Sequence, residues 1–525
     1  MTRALLLVAL IGCVAGPALA GQAIGPVIAN PRVTCDRWPN HYDAKSWIAD
    51  VWRLSSAKTG EEKAVALYKW TRRQLHWGDQ CHDGTRGTRQ VTIDAIKKIN
   101  VHPYGYCVDF GVVAAALGHA GGMKCMESHV PGHTQLEVFY RDKDGVERWH
   151  RFDPFWGVTV YDKTGSHIAT WQEIKADPNV ALKPAKTLLP WGDKKDDRTR
   201  YAQKGAARPS NRVRPCRHTM DKPLYAGEVY TLRWDRDPRV EFVNANPKCR
   251  DTMKYWGMQR YYYARGDLDK LAYGHEDLRP YLVKAGKQIQ VPPAHGILEF
   301  TPRLDANFAD SLYAPPINVA VGGKDEPKLK PADPKKPMEL IYLVQTPYVI
   351  AASEFRGLFR GNAKVSFAYG QWRRNKWTLE QVVPAKPRWK VLSNSRGKGP
   401  FLQVFTVDDL KLRGEYKVLV KVELSGTKTF PVAGIDDLRF GLLFQEGIMA
   451  LPRLMPGKNV ISVAAGKIKP GYKLRVEYCW DDTKGKGHKA AKLFEKLPAT
   501  FDINAAGKRP ADVRTRYLTI APVGE

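Results

Sequence analysis

The stretch Tyr104-Gly105-Tyr106-Cys107-Val108-Asp109-Phe110-Gly111-Val112-Val113-Ala114-Ala115-Ala116-Leu117-Gly118-His119-Ala120 runs from a glycine-interrupted approach into an almost wholly apolar segment. From Cys107 onward it is apolar nearly all round, the pattern of a helix buried on every side. Gly121-Gly122 follows and supplies the stop. Cys107 therefore opens a buried helix. The free N–H groups and dipole of a helix start stabilise a thiolate, so this position suits a nucleophilic cysteine.

A thiol nucleophile needs an imidazole partner, and the imidazole needs an acceptor that holds its tautomer. Both lie downstream. Residues 123–130, 133–140 and 146–153 read as strands, the last two joined across Asp144-Gly145, a turn signal. His133 opens one strand and Asp153 closes the next. With Tyr140 paired to Val146 across a five-residue connection, His133 faces Asp153 directly and on the same side of the sheet. An even connection sends the two side chains to opposite faces. Upstream, residues 43–56 read as a helix. Thr59 and Glu62 form a capping-box pair ahead of Ala64, Leu67, Tyr68, Thr71 and Leu75 at helical spacing, with Gly78 as the stop. Residues 92–99 read as another short helix.

Three of these pieces resemble motifs of the transglutaminase-like superfamily. Tyr104-Gly-Tyr-Cys107-Val-Asp-Phe looks like its nucleophile motif, Gly132-His133-Thr-Gln-Leu-Glu-Val-Phe its histidine strand, and Arg151-Phe-Asp153-Pro-Phe-Trp its aspartate motif. The order Cys, His, Asp also matches, and the resemblance covers roughly residues 45–160. It implies a papain-like fold and a cysteine that attacks an amide or ester carbonyl to give a thioester acyl-enzyme. On this resemblance Cys107 is the nucleophile, His133 the general base and acid, and Asp153 the group that orients it. The oxyanion is expected on the Cys107 N–H, with Tyr104 as the second donor. Thr134-Gln135 stands where many members carry an aromatic residue after the histidine.

The rest of the chain sets the context. At roughly 100–200 residues per domain, 525 residues make two to four domains. Arg3, an apolar run over residues 4–15 and Ala18-Leu19-Ala20 read as an export signal over residues 1–20. The alternative is a lipoprotein box ending at Cys13. A secreted or periplasmic protein is expected on the first reading, with no membrane span in the mature chain. Seven cysteines then remain, an odd number, which leaves at least one thiol unpaired. Cys125 is expected in a disulfide, with Cys81 as the candidate partner. Cys125, His129 and His133 invite a zinc reading, but Pro131-Gly132 breaks the helix that would align them. No metal and no cofactor are expected.

Beyond the first unit, residues 21–182, a basic linker is expected at 183–222 and a β-rich domain at 223–321. A second linker follows at 322–337, then a β-sandwich at 338–525. The fold class is α+β. The net charge of +29 suits an anionic cell-envelope polymer as a partner, while export argues against a nucleic-acid function. The reading is thus an exported thiol enzyme acting on peptide amides, with hydrolysis favoured over transamidation. Its rival is an inactive transglutaminase-like scaffold that binds a surface or polysaccharide.

Overall fold

A computed structural model describes residues 23–77, 82–83, 90–91, 94–188, 199, 202, 208–210, 216–234, 262–263, 283–285, 288–291, 294–374, 379–395, 401–405, 414–426 and 432–524. The expected export signal, Cys13, Gly78 and Cys81 lie outside these residues. Helices and strands both occur, and strands dominate.

The helices cluster near the N-terminal end. Helix α1, Ala44–Leu54, starts on Asp43, whose carboxylate accepts the Ser46 N–H. Helix α2, Gly60–Gln74, starts on the capping box: Thr59 Oγ1 accepts the Glu62 N–H at 3.2 Å, and Glu62 accepts the Thr59 N–H at 2.9 Å. It ends at Gln74, where Leu75 turns extended, ahead of the expected glycine. Helix α3, Ala95–Asn100, is short, and all six of its residues are buried. Helix α4, Cys107–Ala120, is the apolar segment, buried without interruption from Asp109 to Gly118. Helices α1, α2 and α3 and the strands Lys124–Val130 and His133–Arg141 all pack on α4, which is why it carries no polar face.

Those two strands, with Glu147–Phe152 and Arg208–Ser210, make a four-stranded antiparallel sheet. The first two meet in a tight turn at Pro131-Gly132, where Gly132 has φ +72° and Val130 pairs with His133. The strand Arg208–Ser210 comes from the expected basic linker. Further on, the N–H groups of Arg217 and His218 donate to Asp94 Oδ2 at 2.5 and 2.9 Å. This part of the linker is therefore fastened to the first unit by main-chain hydrogen bonds.

The expected division of the remainder does not hold. A ten-stranded antiparallel sheet takes strands from both proposed β domains. Glu228–Arg233 lies between Ala294–Phe300 and Arg514–Gly524, and Ala294–Phe300 pairs with Gly434–Glu446 along its whole length. The expected linker 322–337 itself holds the strand Leu329–Pro331, whose Leu329 pairs with Ile435. Its Lys, Asp and Pro content reads as a spacer, but the strand lies between Val319–Val321 and Gly434–Glu446. A second sheet of Met338–Gln345, Lys417–Ser425, Asn362–Tyr369 and Lys390–Ser395 packs on the first through Tyr342, Phe300 and Phe440.

The first unit is not separate either. Arg32–Cys35 pairs with Gly457–Ala464 near the other end of the chain. Met449 O accepts from both Trp38 Nε1 and Gln74 Nε2, and Gln445 Nε2 donates to Val101 O. One hydrophobic core runs from Val27 to Ile520. Strand pairing between distant segments leaves no local mark in composition, so boundaries drawn from composition missed it.

Candidate active site

Cys107 is the first residue of α4. Tyr106 before it is extended, with φ −100° and ψ −173°, so the chain enters the helix abruptly. Asp109 closes the entry: its Oδ2 accepts the Tyr106 N–H at 2.9 Å. Its Oδ1 is 2.9 Å from Lys98 Nζ of α3, and this ion pair is almost wholly excluded from water. A Cβ at position 105 would lie 2.2 Å from Asp109 Oδ2, so only glycine leaves room for the cap. The Cys107 N–H falls in the first turn, where helix geometry supplies no acceptor.

Cys107 is a free thiol and half-buried. Burial pushes Cys125 up to about 12, and Cys35 likewise. Cys125 is unpaired, which corrects the disulfide expected of it. It sits against α4, where a Cβ on Gly118 would come within 2.4 Å of its sulfur.

The hairpin supplies the other two residues. His133 Nε2 donates to Asp153 Oδ2 at 2.6 Å, and both residues are buried. The connection between the two strands is odd, as the geometry requires, but the register is displaced by two from the expected one. Arg141 pairs with Glu147 and Leu136 with Phe152. Asp153 is therefore level with Gln135, and His133 lies two residues further along on the same face. Gln135 Nε2 duly donates to Asp153 Oδ2 at 3.2 Å. Asp153 Oδ1 accepts the N–H groups of Phe155 and Trp156 at 3.1 and 2.8 Å. The carboxylate is fixed by four donors, and its orientation is set by the turn that follows it.

That turn also places Trp156 flat on His133, with ring centroids 3.5 Å apart and planes 12° from parallel. Gly157, at φ +75°, then reverses the chain where a Cβ would run into the Arg72 guanidinium. Phe155 flanks the imidazole at 5.9 Å and meets Phe110 of α4 edge-on at 5.4 Å.

Burial alone would lower the His133 pKa. The Asp153 charge and hydrogen bond, with a further hydrogen bond and charge contribution from Cys107, outweigh burial and raise it to about 9. With Nε2 committed to Asp153, the nitrogen left for Cys107 is Nδ1. Burial acts against the Asp153 carboxylate, yet the His133 charge and the converging N–H donors hold it below its usual range. The arrangement favours an imidazolium at neutral pH beside a buried carboxylate.

Tyr104 does not present itself in the role expected of it. It lies in the strand Tyr104–Gly105, is 1% exposed, and its ring is 6.0 Å from that of His76. An oxyanion donor must be reachable by a substrate. Cys125, His129 and His133 do not form a ligand set: His129 Nδ1 bonds to Thr134 Oγ1 at 3.0 Å, and His133 is committed to Asp153. Asp142, Asp144 and His167, at the far end of the hairpin, bring ligand atoms within 4.8 Å of one another. There Arg148 Nε lies 2.7 Å from Asp142 Oδ2, so a guanidinium already supplies the positive charge. No helix among the described residues is long and apolar enough to cross a membrane.

Gln135, Trp156 and the Lys98–Asp109 pair escaped the sequence reading. Gln135 and Trp156 lie inside the motifs quoted above, and the strand register would have singled out Gln135. Lys98 lies in the short helix expected over residues 92–99, where nothing local marks it as buried.

No family model matches the chain, and neither does any curated protein. Among solved structures, an FMN-binding beta-glucuronidase from Facaelibacterium prausnitzii L2-6 aligns at 11% identity and a TM-score of 0.14 over 36% of this chain and 32% of that one. The glycoside hydrolase domain of Endo-D from Streptococcus pneumoniae R6 aligns at 12% and 0.12 over 45% and 39%. The chain thus spans well under half of either protein, and the low TM-scores carry no argument about fold or activity.

Proposed function

We propose that this chain is an exported thiol hydrolase of transglutaminase-like type that cleaves amide bonds through Cys107, His133 and Asp153. The observation that carries the reading is the buried imidazole of His133, bonded through Nε2 to Asp153 at 2.6 Å on a strand that packs on the helix opened by Cys107.

The chemistry follows from those contacts. The Cys107 thiolate attacks the carbonyl carbon, and the carbonyl π electrons move onto oxygen, which the Cys107 N–H stabilises. As the tetrahedral intermediate collapses, the C–N bond breaks and the His133 imidazolium gives its Nδ1 proton to the leaving amine. A thioester remains. Water then attacks it while His133 takes the water's proton. Collapse of the second intermediate breaks the C–S bond, releases the carboxylic acid and re-forms the Cys107 thiolate beside the imidazolium that took the water's proton. Asp153 holds the ring and its charge throughout. Export and an anionic cell-envelope partner belong to the same proposal and rest on the sequence and its charge.

The test is mass spectrometry of the full chain incubated with peptide libraries and cell-wall peptides. An acyl adduct on Cys107, a new terminus or released amine, and the loss of both in Cys107→Ala are expected. Turnover unchanged in Cys107→Ala would overturn the reading. Incorporation of a labelled amine would instead mark a transamidase.

A further inference from the structure

The two lysines of α3 are both buried, and one of them reaches the helix that carries the thiol. Lys98 is 0% exposed and Lys97 3%. Lys97 Nζ points into the β-rich part, donating to Leu379 O at 3.1 Å with the Tyr416 ring 4.5 Å away. Lys98 Nζ meets Asp109 Oδ1 at 2.9 Å. We propose that Lys98 and Asp109 are positioning residues that set the thiol of Cys107. This rests on the thiol-enzyme reading above.

Asp109 has two tasks that conflict. Its Oδ2 caps the Tyr106 N–H and so fixes the Tyr106–Cys107 peptide, whose N–H is the oxyanion donor in the mechanism above. Its negative charge, two residues from Cys107, opposes the formation of a thiolate. A capping aspartate on an exposed helix start leaves that opposition to water. Here the carboxylate is buried, and the Lys98 ammonium cancels the charge without disturbing the cap, because each oxygen has its own partner. Removing two charges from water is costly, so such a pair is weak evidence for a purely stabilising role. The helix that supplies Lys98 is rigidly held. Asp94 caps it through the Lys97 N–H, Asn100 Nδ2 donates to His41 O, and the Gly447 N–H donates to Asn100 O. The other charged and titratable groups set round this helix end are His133 and Asp153 from the hairpin, Arg72 from α2 behind Gly157, and His76 against Tyr104.

The two partners should act in opposite directions. In Lys98→Met the Asp109 carboxylate loses its buried ammonium. The rate of Cys107 alkylation by iodoacetamide is followed against pH by peptide mass spectrometry on the full chain. In this variant the profile should move to higher pH, and the rate at pH 7 should fall about tenfold for each pH unit it moves. In Asp109→Asn the amide oxygen keeps the cap, the Lys98 charge is uncompensated, and the profile should move to lower pH. Lys98→Arg should stay within about threefold of the wild type. Near-UV circular dichroism reports folding. Should Lys98→Met fail to fold, the double variant Lys98→Gln with Asp109→Asn removes both charges and should return the profile to the wild-type position. Single variants that move the profile the same way, or leave it in place while folded, overturn the proposal. A wild-type Cys107 that alkylates no faster than a free thiol between pH 6 and 9 overturns the thiol-enzyme reading itself, and this inference with it.

Discussion

The imidazole of His133 lies face to face with the indole of Trp156, 3.5 Å between ring centroids, while its edge is held by Asp153. The two constraints are nearly perpendicular. One fixes the plane of the ring and the other its rotation within that plane. Both come from a single turn, because Asp153 Oδ1 accepts the Trp156 N–H.

Trp156→Ala should therefore lower turnover more than it lowers substrate affinity. A loss of ten- to a hundredfold in kcat is expected, on the order of the 1.4–2.7 kcal/mol those factors represent. Trp156→Phe keeps an aromatic face and should recover most of it. Thermal denaturation separates this from the cost of emptying a buried tryptophan site, about 3–5 kcal/mol for the alanine variant.

The His133–Asp153 pair fixes a pH window. The folded pKa of His133, about 9, lies above its ordinary 6.5. Its contribution to stability is fully present below pH 6.5 and is lost as pH rises through about 9. Activity needs the imidazolium proton, so kcat should fall on the same alkaline limb. Asp153→Asn removes the charge that raises His133. His133 should then titrate lower than in the wild type by NMR. A titration unchanged from the wild type would contradict the ion pair.

Thiol labelling at pH 8 gives a separate check. Burial raises Cys35, Cys125 and Cys216 to about 12, so they should resist iodoacetamide while the protein is folded and react only after denaturation. Cys107, half-buried at its helix start, should label in the native protein. Rapid native labelling of Cys125 would place it outside the core.

Glu415 carries a fourth prediction. Buried and held by Gln381, it is raised by burial from 4.5 to about 7. A raised carboxyl stabilises the fold fully below pH 4.5, and that contribution is lost as pH rises through about 7. Glu415→Gln should flatten the stability profile between those limits and raise stability above pH 7 by up to about 3 kcal/mol. Urea denaturation midpoints from pH 4 to 8 measure this directly.

Local chemistry was legible wherever one segment decides it. The capping box at Thr59 and Glu62, the buried helix from Cys107 and the turn at Gly145 form as their residues suggest, because each is set by neighbours a few positions away. The hairpin was half legible. Side-chain alternation put His133 and Asp153 on one face, but it does not distinguish registers that differ by two. Hence Gln135, not His133, is level with Asp153. Three further features were not legible. Strand Arg32–Cys35 joins strand Gly457–Ala464, the expected linker near residue 330 holds a strand of the large sheet, and Lys98 is buried. The two strand pairings depend on partners far away in the chain, and the burial of Lys98 on the docking of one helix against another.

By itself, the sequence determined a cysteine at the start of a buried helix, a histidine and an aspartate on paired strands, and the order in which they occur. Those follow from hydrophobic periodicity and turn chemistry, which act over a few residues. Only the tertiary structure decided that Asp153 is shared with Gln135, that Trp156 covers His133, and that Lys98 pairs with Asp109 out of water. These contacts depend on register and on docking between elements, and the energy that selects among registers comes from the packed core as a whole.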